Sequence, residues 1–427
     1  MKEIKTATSS NSNEDLPDGW ARYSIDQVFD YVNTTSFSRE NLTYDPTKTE
    51  IYYIHYGDIH STFKSEILDF DKEKRVPFLK DKFSNGNFNY LKDGDLVIAD
   101  ASEDYTGVGE CIEVKNIGAK KVIGGLHTIV LRGKSNLTVP GFNTYIFKNA
   151  GVRIDLKRIA TGISVYSLSK GNISKLKILL PPIDKQKIAA TILALMDENI
   201  DKINQLICKK ELQKKVLLQQ LLTGKKRFKG FGEKWKIKKL DDCLTYTPRE
   251  VQKPNSNFFA LGIRSHGKGI FHKNDFDPED IAMDILYEVK ENDLIVNITF
   301  AWEHAIAIAH IEDNGGLVSH RFPTYEFKTE SAIPDFFKYL ILQKKFKYQL
   351  ELISPGGAGR NRVMSKKDFP KIEVFIPEVE EQKAIASVLD CATKEIQLLK
   401  AKADKLKEQK KGMMQLLLTG KKRLKIN

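Results

Sequence analysis

Residues 181–227 read PPIDKQKIAATILALMDENIDKINQLICKKELQKKVLLQQLLTGKKR, and the segment returns 196 positions later, at residues 377–423, as PEVEEQKAIASVLDCATKEIQLLKAKADKLKEQKKGMMQLLLTGKKR. The two copies align without a gap, share 18 of 47 residues and end in the same heptapeptide, LLTGKKR. Average residue frequencies would give roughly three identities. The segment is therefore an internal duplication.

Apolar residues recur in both copies at alternating spacings of three and four, over residues 196–221 and 392–417. A heptad pattern of this length predicts long helices that pair in a coiled coil. Gly224 and Gly420 are expected to end them, because glycine readily adopts the left-handed cap conformation. Lys210, Lys214 and Lys410 interrupt the apolar seam, and the sequence offers no reason for them.

The chain on either side of the first copy contains short apolar runs separated by Gly, Asn and Asp, which are typical of strands and turns. The two stretches repeat one another faintly: DLVI at residues 95–98 returns as DLIV at residues 293–296. We predict an α/β (α+β) fold with two pseudo-twofold-related globular domains joined by a long antiparallel two-helix coiled coil. The expected boundaries are 1–15 for a flexible leader, 16–180 and 228–376 for the domains, and 181–227 and 377–427 for the helices.

The composition narrows the function classes. Among 427 residues there are 68 Lys and Arg against 56 Asp and Glu, a net charge of +12, which suits a polyanionic partner. The four cysteines form no CxxC pair, which predicts reduced thiols in the cytoplasm and no zinc site. No run of about 18 apolar residues exists, so the sequence predicts no membrane span.

The joint pattern resembles the DNA-specificity subunit of type I restriction-modification systems. The resemblance rests on LLTGKKR at residues 221–227 and 417–423, on PPIDKQKI from Pro181, and on the domain phrases YGDI from Tyr56 and ADASE from Ala99. It covers nearly the whole chain after the leader.

This resemblance implies two target-recognition domains, each reading one part of a split asymmetric sequence in double-stranded DNA. It also implies that the paired helices dock two modification subunits, which carry S-adenosylmethionine, and that restriction subunits, where present, use ATP and Mg²⁺. The chain itself would be a non-catalytic subunit without a cofactor or metal. Equivalent copies of Gln186 and Lys187, and of Gln382 and Lys383, are the candidates for docking two identical partners.

Candidate DNA-contacting residues are donors and aromatic groups in loops that contain glycine. Arginine can bind guanine with two parallel hydrogen bonds, whereas lysine more often contacts phosphate. The candidates in the second domain are Arg264, Ser265, His266, Lys268, Arg360, Asn361 and Arg362, and those in the first are Tyr56, His60, Tyr105 and Thr106.

Alternative interpretations stay open at this point. Residues 264–268 could be an ordinary basic hairpin tip, the aromatic candidates could be core residues, and His127, inside an apolar run, is expected to be one. Glu113 and Lys115, with Asp95 or Asp100, could belong to a metal-dependent nuclease. A coiled-coil scaffold that binds only protein is the third possibility.

Overall fold

The structure is a computed structural model that describes residues 16–46, 50–83, 86–356 and 362–420. The predicted leader, residues 1–15, and the candidates Arg360 and Asn361 lie outside these residues. The chain divides into two compact units, the first formed by Met1–Asn204 with Ala401–Asn427 and the second by Gln205–Lys400. Each unit contains one sheet-rich domain and a segment of each of two long helices.

Among its described residues the first unit contains thirteen strands and six α-helices, besides the end of the second long helix. In chain order they are β1 (Ala21–Ser24), α1 (Ile25–Val28), β2 (Phe29–Val32), β3 (Leu42–Thr43), β4 (Ile51–Ile54), α2 (Tyr56–Ser61), β5 (Ile67–Asp69), β6 (Phe78–Leu79), β7 (Leu96–Ala99), β8 (Ala101–Ser102), β9 (Cys111–Lys115), β10 (Lys121–Gly124), β11 (Thr128–Gly133), α3 (Asn143–Lys148), α4 (Ala150–Ile159), β12 (Tyr166–Ser167), α5 (Lys170–Ser174), β13 (Lys177–Leu180) and the start of α6 (Ile183–Leu221).

Two sheets organise the first domain. A five-stranded sheet has the order β2-β11-β7-β9-β5, and a four-stranded sheet has the order β10-β4-β6-β3 with β10 parallel to β4. The sequence of β7 is apolar throughout because each of its two faces packs in a different hydrophobic core. Leu96 and Ile98 pack under the helices, whereas Val97 packs in the core on the opposite face.

The second unit repeats this plan with eleven strands and three further short helices among its described residues. They are β14 (Lys236–Lys239), α7 (Leu240–Cys243), β15 (Leu244–Tyr246), β16 (Glu250–Gln252), β17 (Phe258–Ile263), β18 (Ile270–Phe276), β19 (Ile285–Glu288), β20 (Leu294–Val296), β21 (Ile306–Ile308), β22 (Leu317–Val318), β23 (Thr324–Phe327), α8 (Pro334–Leu340), α9 (Lys344–Leu352), β24 (Glu373–Ile376) and the start of α10 (Val379–Leu418).

The sheets of the second domain have the orders β15-β23-β20-β21 and β16-β19-β22-β17-β18, and β22 runs parallel to β17. β20 holds the place of β7: Leu294 and Val296 pack under the helices and Ile295 packs on the other face. The similarity of DLVI and DLIV in the sequence therefore marks equivalent central strands. The prediction of an α+β chain with two sheet-rich domains and long helices is confirmed.

The long helices α6 and α10 have 39 and 40 residues. Every seam position of the heptad pattern is buried or half-buried. Within each unit the two helical segments run antiparallel: in the second, Leu221 packs with Ile385 while Lys210 pairs with Glu395. Both helices end just before a glycine with a positive φ, Gly224 and Gly420 at 69° each, as the sequence predicts.

The lysines that interrupt the seam each have a partner inside their own unit. Lys410 is only 7% exposed, and its Nζ lies 2.6 Å from Asp197 and 2.9 Å from Glu66. Lys214, at the equivalent place on α6, lies over the ring of Tyr339 at 5.8 Å. Lys210 pairs with Glu395 at 2.7 Å. These lysines therefore bind the helices to their surroundings through polar contacts.

Candidate nucleic-acid interface

Four loops of each domain meet at one edge of its sheets. In the first domain they are residues 55–61 after β4, 100–107 after β7, 125–127 before β11 and 160–167 before α5. In the second they are residues 264–269 after β17, 297–305 after β20, 319–323 before β23, and the described residues 354–356 and 362–363 after α9. We call these two sets the first and second loop sets.

Contacts between its loops hold the first loop set together. His60 Nε2 lies 3.0 Å from the carbonyl oxygen of Ala101, and the ring of Tyr56 meets that of His127 edge-on at 5.3 Å. The ring of Tyr105 packs against that of Tyr166 at 5.2 Å, and strands β8 and β12 pair beside them. All four loops therefore belong to one surface.

The second loop set is joined in the same way. The backbone N–H of His266 donates to the carbonyl oxygen of Glu303 at 2.7 Å, and the Ser265 hydroxyl donates to the Glu303 carboxylate at 2.7 Å. Arg321 Nη1 lies 3.3 Å from Thr299 Oγ1. The guanidinium of Arg362 lies over the ring of Trp302 at 5.6 Å.

The turn at residues 264–269 presents its charged side chains outward. Arg264, His266 and Lys268 are exposed, and Ser265 is half-buried. Arg264 stacks on Phe271 at 5.1 Å and donates from Nη1 to the Ile270 carbonyl oxygen at 3.0 Å, which orients the planar guanidinium while other N–H groups stay available. A Cβ at Gly267 would meet Leu342 at 2.6 Å, and its φ is 64°, so the turn requires glycine there.

The first-domain candidates occupy a different local structure. Tyr56 and His60 belong to α2 and are half-buried. Tyr105 and Thr106 are exposed; the Tyr105 hydroxyl donates to the Lys157 carbonyl oxygen at 3.2 Å, and Thr106 Oγ1 donates to Asp104 at 2.6 Å. Tyr105 is therefore a surface residue, contrary to the interpretation of these aromatic residues as core.

The expectation that His127 is a core residue is wrong. Its side chain is 52% exposed, and its Nδ1 lies 3.2 Å from Asp100. Its φ of 52° turns the side chain out of the apolar run at the entry to β11. The glycine pair at residues 124–125, which precedes it, is the sequence signal of this turn. The similar pair Gly315 and Gly316 lies before β22, one strand earlier than the corresponding turn at residues 319–323.

Sequence reasoning also missed residues that the structure brings into the loop sets. They are Ile163 and Tyr166 in the first and Trp302 and Arg321 in the second, together with Asp100, which the sequence indicated only as a possible nuclease carboxylate. No motif connects these residues to the candidates, because the contacts join loops that lie far apart in the chain. Only the repeated strand phrases, which precede equivalent loops, could have pointed to them.

Burial shifts the pKa values of three groups near the loops. The pKa of Asp100 is raised by loss of solvation, although His127 opposes this effect. The pKa of His55 is lowered by burial and by the charge of Arg39, and the pKa of His304 is lowered by burial. His55 accepts the Gly57 N–H at Nδ1, 3.1 Å away, and His304 Nε2 lies 2.6 Å from the Ile341 carbonyl oxygen. Each loop set thus contains a buried histidine whose ring is hydrogen-bonded to backbone.

The acidic residues considered for a nuclease are committed to structural roles. Glu113 is buried and accepts backbone N–H groups of Gly141 and Thr144, while burial raises its pKa to about 7. Asp95 is held by Arg132 through two hydrogen bonds, of 2.6 and 2.8 Å. Among the described residues no group of three His, Cys, Asp or Glu side chains could hold a metal ion. The nuclease alternative has no support.

The glutamines considered for partner docking are buried. Gln186 is 1% exposed and donates to the carbonyl oxygens of Pro181 and Leu137. Gln382 is fully buried and donates to the equivalent oxygens, of Pro377 and Ser331. These amides fasten each helix to its domain and are not accessible to a partner. The adjacent lysines, Lys187 and Lys383, are exposed.

Comparison with known proteins places the chain in a family. Residues 17–214 and 232–408 match the family model of the type I restriction modification DNA specificity domain. The chain belongs to this family. It is a specificity subunit, and its function is recognition of a DNA sequence. Neither the nuclease nor the scaffold alternative is supported.

A curated relative matches in sequence, and solved structures share the fold. The type I restriction enzyme MjaVIII specificity subunit of Methanocaldococcus jannaschii is 27% identical over 290 residues, which cover 63% of this chain and 68% of that protein. The S subunit of a type I restriction-modification system from M. genitalium has the same fold, with a TM-score of 0.54, 12% identity and coverage of 96% and 98%. The HsdS subunit of Thermoanaerobacter tengcongensis gives a TM-score of 0.52, 16% identity and coverage of 96% and 98%.

In the part of the chain that the structure describes, no helix is long and apolar enough to cross a membrane.

Proposed function

We propose that this specificity subunit reads a bipartite, asymmetric DNA site, one half with each loop set, and that it is itself non-catalytic. The observation that supports this proposal is the pairing of like scaffolds with unlike loops. Equivalent loops follow equivalent strands in both domains, yet the second loop set contains Arg264, Lys268 and Arg321, whereas the first contains neither Lys nor Arg. Unlike side chains in the major groove select unlike bases.

We further propose that the paired helices dock two modification subunits that use S-adenosylmethionine, and that restriction subunits using ATP and Mg²⁺ join them where the system has them. The repeated helix supplies two matching surfaces for two identical partners. With Gln186 and Gln382 buried, the exposed residues near the helix starts that offer this contact are Lys187 and Lys383.

The decisive experiment lengthens the helices. Seven residues, one heptad, are inserted into both α6 and α10 at the division between the units, after Asn204 and before Ala401. Methylated bases are then mapped in DNA from cells that carry the variant with its partners. We expect unchanged half-sites separated by about 3 additional base pairs, because a heptad adds about 10.5 Å of helix.

A four-residue insertion in α6 alone is the control, since it shifts the apolar seam of one helix against the other and should abolish methylation. Unchanged spacing with the heptad insertions would contradict the role of the helices. Methylation at two unrelated new sequences would contradict the assignment of the half-sites to the loop sets.

A further inference from the structure

The loop at residues 160–167 carries the most exposed large apolar side chain among those described. Ile163 is 94% exposed and Val165 is 52% exposed. A large apolar side chain in water is unfavourable, and burying one in a contact contributes about 1.5–3 kcal/mol. Isolated exposed apolar residues are common, however, so exposure alone assigns no role to Ile163.

The backbone of this loop holds Ile163 in a defined place. Thr161 and Ser167 exchange two backbone hydrogen bonds, of 3.0 and 2.7 Å, which close the loop at its base. Gly162 has a φ of 119°, and a Cβ there would lie 2.0 Å from the Val165 carbonyl oxygen. The tight turn therefore directs Ile163 outward without help from side-chain packing.

The surroundings of Ile163 indicate what it contacts. Tyr166, three residues later, packs on Tyr105, so the tip belongs to the first loop set. The corresponding loop of the second domain places Arg362 on Trp302 in the same way. Because each loop set is proposed to read DNA, DNA is the partner that this tip would meet.

Positive charges flank the tip although its own loop set has none. Lys157 lies over the ring of Tyr105 at 5.5 Å, Arg158 follows it with its side chain 74% exposed, and Lys170 is exposed at the start of α5. Cations beside an apolar tip suit a site where phosphates lie beside base edges. Arg158 also pairs with Asp155 at 3.4 Å, and the loop set itself contains Glu103 and Asp104.

We propose that Ile163 reads a base of the first half-site by packing on the methyl group of a thymine in the major groove. This methyl group is the apolar feature that the major groove displays. The proposal rests on recognition of one half-site by each loop set, which the helix insertions test separately.

The test measures how tightly the specificity subunit, in complex with its modification partner, binds DNA duplexes. Each duplex carries the recognition site identified by mapping methylated bases. Each thymine of both half-sites is replaced singly by deoxyuridine, which removes only the methyl group. We expect one replacement in the first half-site to weaken binding of the unsubstituted complex about 4-fold, the effect of one buried methyl group. Ile163→Ala should bind less tightly and should no longer distinguish thymine from deoxyuridine at that position.

Ile311→Ala is the matched control, because Ile311 is 67% exposed in the second unit and follows β21 at the end remote from the loops. It should respond to every deoxyuridine duplex as the unsubstituted complex does. The proposal would be overturned if Ile163→Ala distinguished thymine from deoxyuridine as well as the unsubstituted complex does at every position. A first half-site without thymine would overturn it too. If the complex still bound its own recognition site more tightly than other sequences, the proposed function would stand even though the role of Ile163 had failed.

Discussion

Strands β4 and β17 hold equivalent places beside a parallel neighbour, yet the chain leaves them differently. After β4 it forms α2, whereas after β17 it makes a tight turn and returns along β18. The first path places Tyr56 and His60 at the surface edge, and the second presents Arg264 and Lys268. The sheets therefore fix where the recognition surface lies, and the connections fix its chemistry.

The charge of the two loop sets differs more than their shape. The first presents the carboxylates Asp100, Glu103 and Asp104 without a lysine or arginine, while Asp58 is fully buried and paired with Arg39. Carboxylates can accept a hydrogen bond from cytosine, and apolar groups contact thymine methyl groups, whereas arginine is suited to guanine. The two domains are thus equipped for different bases on a shared scaffold.

The units also differ where the helices meet the domains. Lys410 and its counterpart Lys214 both lie over a tyrosine ring, of Tyr145 and Tyr339, but only Lys410 is also paired with two carboxylates, of Glu66 and Asp197. In the first unit, burial is the largest influence on Glu66 and raises its pKa, but the charge and the hydrogen bond of Lys410, with smaller contributions, together outweigh it, so the pKa lies below its usual value. The same position of the repeat therefore makes different polar contacts in the two units.

The largest expected effect separates these two lysines. Lys410→Met leaves Asp197 and Glu66 without their cation and should destabilise the first unit by about 3 kcal/mol. Lys214→Met loses only a cation–π contact and should cost the second unit about 0.5–1 kcal/mol. Hydrogen exchange of peptides around Glu66 and Tyr339 measures the two units separately.

A second variant distinguishes loss of the charge pair from loss of packing. Combining Lys410→Met with Asp197→Asn and Glu66→Gln removes the uncompensated charges and should restore much of the lost protection. Equal destabilisation by Lys410→Met and Lys214→Met would show that the two sites do not differ as the contacts indicate.

The next largest effect concerns Arg264. Arg264→Ala should weaken binding at the second half-site by about 2 kcal/mol, roughly 30-fold, through loss of a two-bond contact with guanine. Arg264→Lys should not restore it, because the point charge of lysine lacks the planar donor pair. Arg75→Ala, which removes an exposed arginine paired with Glu73, is the control. Equal weakening on all sequences would instead assign Arg264 to phosphate.

The sequence predicts what is local or repeated. The heptads, the helix-ending glycines and the paired DLVI and DLIV strands are all found, since each depends on short-range periodicity or on a duplicated phrase. Lys410 could not be interpreted, because its partner Glu66 lies 344 residues away. Likewise, nothing in the sequence reveals that the Gln186 amide binds carbonyl oxygens of its own domain.

The loop sets show the same division between local and distant information. The sequence predicts the glycine-rich turn at residues 264–269 as a loop, because its composition requires one. The sequence does not predict the exposed position of His127, because its apolar neighbours indicate a strand and give no sign of its positive φ. Ile163 and Trp302 could not be assigned to the loop sets without the contacts that join distant loops.

A smaller effect is expected on the salt dependence of DNA binding, and it differs between the two loop sets. Lys268→Gln should weaken binding to all sequences alike and lower the slope of log K against log salt concentration by about 1, because one phosphate contact is lost. His60→Gln, in the first loop set, should leave the slope unchanged at neutral pH. A change of specificity with Lys268→Gln would mean that this lysine contacts a base.

The smallest effect concerns the buried histidines, and it tests whether the two loop sets depend on pH in the same way. Because burial lowers the pKa of His304 below its usual 6.5, the open state binds a proton more readily than the folded one. Its stabilising contribution is therefore complete above pH 6.5 and is lost as the pH falls through the folded-state pKa. Hydrogen exchange at residues 264–269, corrected for intrinsic rates, should show less protection at pH 5.5 than at pH 7.5.

His304→Asn provides the comparison, since asparagine tolerates the left-handed φ of 68° found here and has no charge to gain. In this variant the turn should lose its pH dependence, while α2 keeps the dependence that His55 gives it. That contrast would assign the acid sensitivity to one histidine in each domain. Loss of the dependence in both domains at once would instead indicate that a group elsewhere in the chain controls it.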